Sequence, residues 1–252
     1  MASEQLRVLI TNDDGYESEG IQALASAIEA AGHDVMVVAP WNDQSGVGSA
    51  RAGMIGRRIA SKVGENGFIG IDGTPALSVT LARLGAYGPP PEIVVSGINH
   101  GHNIGPILHS GTVAAALTAA TQGMSALAIS INAEDPSHLD TAGAVAAEAL
   151  NWLQDQPIGT VLSINVPDVP LAELKGARWA RLAPYSRSRL LVTESPTGEP
   201  VVTLQTLPPA EETDTDEVLL AAGYITVTPI TGVQAIADDA SAAYLDERFA
   251  VD

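Results

Sequence analysis

Within its opening stretch the chain alternates strand, loop, helix and strand, and that order restricts the fold more than any other feature. Residues 6–11 (LRVLIT) are a short apolar run with β-branched members, stopped by Asn12-Asp13-Asp14-Gly15. The pattern reads as a buried strand ending in a tight turn. Residues 20–31 place Ile21, Leu24, Ala25 and Ile28 at helical spacing, and Gly32 supplies a C-cap signal. Residues 35–39 read as a second strand. A βαβ unit of this kind implies parallel pairing and a right-handed crossover.

The alternation continues. Residues 40–53 are Gly- and Ser-rich and read as a loop, and 54–71 as short strands broken by glycines. A helix starting on Pro75 is predicted to residue 84. A strand is predicted at 93–95, a long loop at 96–109 and an Ala-rich helix at 112–122. A strand at 126–131, a helix at 141–153 and a strand at 161–166 follow. The fold class expected is α/β, a doubly wound, mostly parallel sheet. After Pro167 the character changes. Strands are predicted at 179–182, 190–193, 201–205 and 224–228, and no helical period appears until 238–249. Residues 1–166 are therefore expected to form the Rossmann-like α/β core. Residues 167–252 are expected to add a β-hairpin extension and a closing C-terminal helix. The acidic stretch 211–217 is expected to be an exposed loop. A long hairpin with little core of its own packs on a partner, so a homo-oligomer is expected.

Composition limits what such a sheet can do. The 252 residues are 46% hydrophobic but only 4% aromatic, so Ala, Val, Leu and Ile must build the core through close backbone approach. There is no cysteine, which excludes disulfides and thiolate metal sites. No apolar run approaches the roughly 20 residues of a membrane span, and residues 1–7 lack signal-peptide architecture. A cytoplasmic protein without a membrane partner is the expectation. The net charge of −18 argues against nucleic-acid binding. It also implies that a phosphorylated substrate needs a cation between itself and the protein.

In open parallel sheets, ligands bind outside the carboxyl ends of the strands. Four polar segments leave such ends: Asn12-Asp13-Asp14-Gly15, Gln44-Ser45-Gly46, Ser96-Gly97-Ile98-Asn99 and the region of Asn132. Adjacent carboxylates repel unless a cation or proton lies between them. Asp13 and Asp14 thus read either as ligands of a hard divalent ion or as a solvated Asx turn. Ser45 and Asn99 offer neutral oxygen ligands, or belong to ordinary turns. Ser110-Gly111-Thr112 reads as an N-cap whose free N–H groups favour an anion such as phosphate. His100, His102 and His109 share one predicted loop and read as ligands, as acid–base groups or as solvated side chains. No Gly-x-Gly-x-x-Gly follows the first strand, so a dinucleotide oxidoreductase is not indicated.

Taken in order, these segments resemble the SurE family of survival-protein nucleotidases. The resemblance is carried by Asn12 to Gly15, Gly20-Ile21-Gln22-Ala23-Leu24, Ala39-Pro40 with Gln44-Ser45-Gly46, and Gly73-Thr74-Pro75. It continues through Val94-Val95-Ser96-Gly97-Ile98-Asn99-x-Gly101-x-Asn103-x-Gly105 and Ser110 to Ala116. It ends with Ile164-Asn165-Val166-Pro167 and Gly223 to Pro229. The resemblance implies a Rossmann-like domain, an oligomerisation hairpin giving a homodimer or homotetramer, and Mg²⁺- or Mn²⁺-dependent 5′- or 3′-nucleotidase activity on a nucleotide-like phosphomonoester. It assigns the metal to Asp13, Asp14, Ser45 and Asn99, and catalysis to Asp13, Asp14 and Asn12. Asn103, Ser110, Gly111, Thr112 and Gly46 would lie around the phosphate. The chain departs from the family pattern at Ser18 and Glu19, at Leu77 and Ser78, and at Pro106 and His109, which implies an altered site rim. A Ca²⁺-dependent nucleoside N-glycosidase and a non-catalytic nucleotide-binding or scaffold homologue are the alternatives.

Overall fold

The computed structural model describes residues 5–51, 56–184, 188–206, 212–235 and 240–249. In chain order the elements are β1 (Arg7–Thr11), α1 (Glu19–Ala30), β2 (Asp34–Pro40), β3 (Ser61–Val63), β4 (Ile69–Ile71) and α2 (Pro75–Arg83). Next come β5 (Ile93–His100), α3 (Gly111–Thr121), β6 (Ser125–Ile131), α4 (Leu139–Leu153), β7 (Val161–Val166) and β8 (Ala177–Trp179). The chain continues through β9 (Ser188–Glu194), β10 (Pro200–Thr206), α5 (Asp216–Ala221), β11 (Ile225–Ile230) and α6 (Ala240–Phe249). A nine-stranded sheet runs in the order β3-β4-β2-β1-β5-β6-β7-β11-β8. β1 pairs in parallel with β2 on one side and β5 on the other. The chain therefore leaves β1 in one direction and returns to its opposite flank, which opens a crevice at the carboxyl ends of β1 and β5.

Strand alternation builds the two core layers. On β1, Val8 and Ile10 join Ile21, Leu24 and Ile28 of α1 and Leu150 and Leu153 of α4. Leu9 points the other way, to Leu77 and Val79 of α2 and Val113, Ala115 and Ala116 of α3. On β6 the α3 side carries the small residues Ala126, Ala128 and Ser130, so α3 approaches the sheet closely, as the aromatic-poor composition requires.

The sheet is mostly parallel with helices on both faces, the expected class. Several details differ from the sequence pattern. β5 continues through Asn99 to His100 where a loop was predicted from 96. Its pairing with β6 shifts register between Ser96 and Asn99. The polar residues and Gly97 hide this continuation from a hydrophobicity reading. β11 is antiparallel to β7, and β8 pairs with β11, so segments beyond Pro167 extend the main sheet. Among the described residues only β9 and β10 form a separate two-stranded hairpin. The acidic stretch is not an exposed loop throughout: Thr215 and Asp216 are fully buried, Glu217 is buried, and α5 begins there. Acidic composition masked it because Thr215 caps the helix and Asp216 finds N–H donors inside the protein. Residues 52–55 and 211, and 238 and 239 at the predicted start of the last helix, lie outside the described residues. Among the described residues no helix is long and apolar enough to cross a membrane.

The close α3 contact makes a specific demand. Ala115→Leu should lower stability by ~1–3 kcal/mol through overpacking, read as a lower urea midpoint at unchanged slope. An unchanged midpoint would mean that α3 does not press on the sheet.

Candidate active site

The switch-point crevice collects the polar strand ends. Asp13 and Asp14 follow β1, Asn99 lies near the end of β5, and the N-terminus of α3 closes the far side. Asp13 is buried, and its Oδ1 accepts the Thr112 hydroxyl at 2.6 Å. The same hydroxyl lies 3.2 Å from Asn99 Oδ1. One hydroxyl has one proton, so while it serves Asp13 the Asn99 oxygen keeps lone pairs for another partner. That oxygen's orientation is set by the Asn99 amide, which donates to the carbonyls of His100 (3.1 Å) and Gly101 (2.8 Å). Gly111 makes the approach possible: a Cβ there would sit 2.7 Å from Asp13 Cβ and Oδ2. Gly20 plays the same part under β5, where a Cβ would meet the Ile98 carbonyl at 2.1 Å.

Burial raises the Asp13 pKa, opposed by the Thr112 hydroxyl and by nearby backbone amides including those of Thr112 and Gly111. Burial also drives the Asp14 pKa up, to about 7, with added repulsion from Asp13 and Asp43. Asp14 Oδ2 is buried without a hydrogen-bond partner. Crowded carboxylates with an unsatisfied oxygen are what a cation relieves, and the available donors are all hard oxygens. Among the described residues no group of three or more Asp, Glu or His side chains closes on one metal position. The set of oxygens that could hold an ion has a different make-up: the carboxylates of Asp13 and Asp14 and the Asn99 amide oxygen, with the Ser45 hydroxyl on a neighbouring loop and donating to Asp43. It fits a hard divalent ion better than a zinc-type site.

Ser45 reaches the crevice on the loop after β2, tied down by the Gln44 N–H to the Asp13 carbonyl at 2.7 Å. Its hydroxyl and N–H both donate to Asp43 Oδ1, at 2.6 and 2.7 Å, which leaves the hydroxyl lone pairs free. Gly46 beside it is exposed, with φ +81°. Asn12 is fully buried and occupied within its own turn. It donates to the Gly15 carbonyl (2.9 Å) and Ser18 Oγ (2.7 Å), and its Oδ1 accepts from Gly15 N–H (3.2 Å). Asn103 donates to Ser130 Oγ at 2.8 Å and lies 3.5 Å from Thr112 Oγ1. Ser110 caps α3 by accepting from Val113 N–H at 3.1 Å.

The three histidines separate. His100 has a buried Nε2 without a partner, and its backbone amide faces Asp14. His102 binds Asn132 Oδ1 at 2.8 Å, and His109 is exposed on a 3-10 turn. The departures from the family pattern also separate. Ser18 caps α1 and holds Asn12, while Ser78 is buried and donates to the Thr74 carbonyl. These two are structural rather than rim residues. Leu77 does border a small cavity of about 170 Å³ beside the site, with Gln44, Arg51, Arg57 and Thr74. Asp43 was missed by the sequence reading, although the rule that singled out Ser45, a polar loop leaving a strand end, applies to it equally.

The raised Asp14 pKa has a sign. Its folded value, about 7, exceeds the ordinary 3.8, so the folded state is penalised as pH rises from about 4 through 7. In metal-free protein at pH 8, Asp14→Asn should therefore be more stable than the parent by roughly 1–3 kcal/mol. The gap should close near pH 4 in urea titrations. A gap independent of pH would contradict this electrostatic account.

Comparison with known proteins agrees with the geometry. The family model described as survival protein SurE matches residues 8–189. The 5′/3′-nucleotidase SurE of Proteus mirabilis is 41% identical over 234 residues, covering 89% of each chain. The 5′-nucleotidase SurE of Methylococcus capsulatus is 37% identical over 231 residues, covering 89% of this chain and 91% of that one. The crystal structure of the SurE protein from Aquifex aeolicus matches with a TM-score of 0.82 at 29% identity, over 95% of this chain and 99% of that one. Strand order, switch-point carboxylates and sequence similarity along nearly the whole chain lead to one conclusion: the chain belongs to the SurE family.

Proposed function

We infer that the chain is a metal-dependent nucleotidase that hydrolyses the phosphomonoester of a nucleoside monophosphate. The observation that carries the chemistry is the buried, unpartnered Oδ2 of Asp14, beside an Asp13 held by Thr112 and an Asn99 oxygen held open by its own amide. The nucleotidase names of the relatives support the reaction class. They do not favour the N-glycosidase or the non-catalytic scaffold. Asp13, Asp14, Ser45 and Asn99 would hold the ion, Mg²⁺ or Mn²⁺. Such an ion supplies positive charge against the phosphoryl oxygens and makes a water easier to deprotonate. The chain's own residues do the rest. Thr112 keeps Asp13 in one rotamer, and Asn12 fixes the turn carrying both carboxylates, which supports a positioning role rather than contact with substrate. Asn103, Ser110, Gly111, Thr112 and Gly46 would border the phosphate. The raised pKa of metal-free Asp14 reflects a missing counter-charge, and with the ion bound Asp14 would serve as a deprotonated ligand.

Phosphate release should be measured from 5′- and 3′-mononucleotides and p-nitrophenyl phosphate with Mg²⁺, Mn²⁺ or EDTA. Release should require a metal, and Asp14→Ala should lower it by roughly a thousandfold or more with the fold intact. An EDTA-insensitive, fully active Asp14→Ala protein would refute this reading, and release of free base would point to the glycosidase.

Assembly with copies of itself is also proposed. Leu190, Val192 and Val202 of the β9–β10 hairpin are 67%, 71% and 61% exposed. An apolar groove of about 1260 Å³, lined by Trp152, Leu171 and Trp179 among others, lies between α4 and the β7–β11–β8 end of the sheet. Light scattering should give a dimer or tetramer, and removal of residues 188–206 should shift the mass downward. A parent that is monomeric at micromolar concentration would reject this.

A further inference from the structure

A buried carboxylate outside the metal set is tied to the substrate side of the crevice. Asp216 is the first residue of α5 and is fully buried. Its Oδ2 accepts the Gly105 N–H at 2.8 Å. Its Oδ1 accepts the N–H of Ala183 at 2.9 Å and of Glu217 at 2.8 Å. A buried carboxylate is tolerated only when its oxygens are filled in this way. Two of the donors come from distant segments. Gly105 belongs to the segment between β5 and α3, which carries Asn103 and leads to Ser110 and Thr112. Ala183 is buried just ahead of the β9–β10 hairpin.

The Gly105 segment has little regular structure and is suspended by polar contacts. Gly101 N–H donates to the Ala133 carbonyl at 2.7 Å, and the His109 carbonyl accepts from Gly48 N–H at 3.0 Å. Asn165 of β7 clamps Asn103, accepting its N–H at 2.8 Å and donating to its carbonyl at 2.9 Å. Among the described residues, the Asp216 contact is the hydrogen bond by which 101–110 reaches across to the hairpin side. We propose that Asp216 is a positioning residue for the phosphate end of the site. Its two oxygens fasten the 101–110 segment to the root of the hairpin, so the placement of Asn103 and Ser110 depends on it. The inference rests on the nucleotidase reading above. A parent that turns over no phosphomonoester would defeat that reading, whereas the outcomes below presuppose an active parent and judge Asp216 alone.

Asp216→Asn keeps the side chain's shape but turns one acceptor into a donor facing an N–H. A purely structural residue would change the folded fraction and leave KM and the inhibition constant of orthophosphate untouched. A positioning residue changes those constants in the molecules that are folded. For Asp216→Asn, KM for p-nitrophenyl phosphate and Ki for orthophosphate should each rise roughly fivefold or more, while the half-saturating Mn²⁺ concentration stays within about twofold. Asp214→Asn, beside it on the surface and paired with Arg181, should behave as the parent. If Asp216→Asn does not fold, hydrogen exchange on the parent decides. Orthophosphate with Mn²⁺ should slow exchange in 101–110 and in the segments holding Ala183 and Glu217 together. Unchanged KM and Ki in a folded variant, or slowing confined to 101–110, would overturn the proposal.

Discussion

The placement of two adjacent carboxylates in a largely buried crevice is the constraint around which this molecule is arranged. Both lose hydration on folding, and Asp14 is repelled by Asp13 and by Asp43. The protein supplies partial relief only. Thr112 gives Asp13 one hydrogen bond, and amides of α3 and of His100 lower the electrostatic cost. The remaining deficit is concentrated on Asp14 Oδ2, and the proposed cation would offset it.

That arrangement depends on close backbone approach. Gly111 brings the start of α3 against Asp13, and Gly20 brings α1 under Ile98. A side chain at either position would push a helix away by more than the contact tolerates. The same economy of volume runs through the alanine face between α3 and β6. The aromatic-poor composition and the tight crevice thus have one origin: helices seated low on the sheet bring their N-termini within reach of the strand ends.

Polar contacts of long sequence separation complete the site. Asn165 and Asp216 lie far beyond the crevice residues in the chain, yet they hold Asn103 and Gly105. Their contribution was invisible beforehand for a physical reason. A buried Asp in an acidic run looks like a solvated charge until the N–H groups that fill its oxygens are known. The β5 continuation was hidden similarly, because its pairing with β6 compensates for polar and glycine residues that local propensity disfavours.

By itself the sequence determined the βαβ order, the doubly wound class, the small-residue core and the family. These follow from apolar periodicity, glycine punctuation and ordered motifs, all local properties of the chain. It also put Asp13, Asp14, Ser45 and Asn99 on polar segments that follow predicted strands, although Asn99 proves to lie within β5. Tertiary structure alone decided which oxygens are free and which are engaged. Asn12 is consumed by its turn, Ser18 by capping α1 and Ser78 by a helix carbonyl, and the three histidines go to different surroundings. Tertiary structure also decided that β11 and β8 extend the sheet and that Asp216 is buried. Burial and hydrogen-bond satisfaction depend on segments a hundred residues apart meeting, as Gly105 and Asp216 do. No local pattern encodes that meeting.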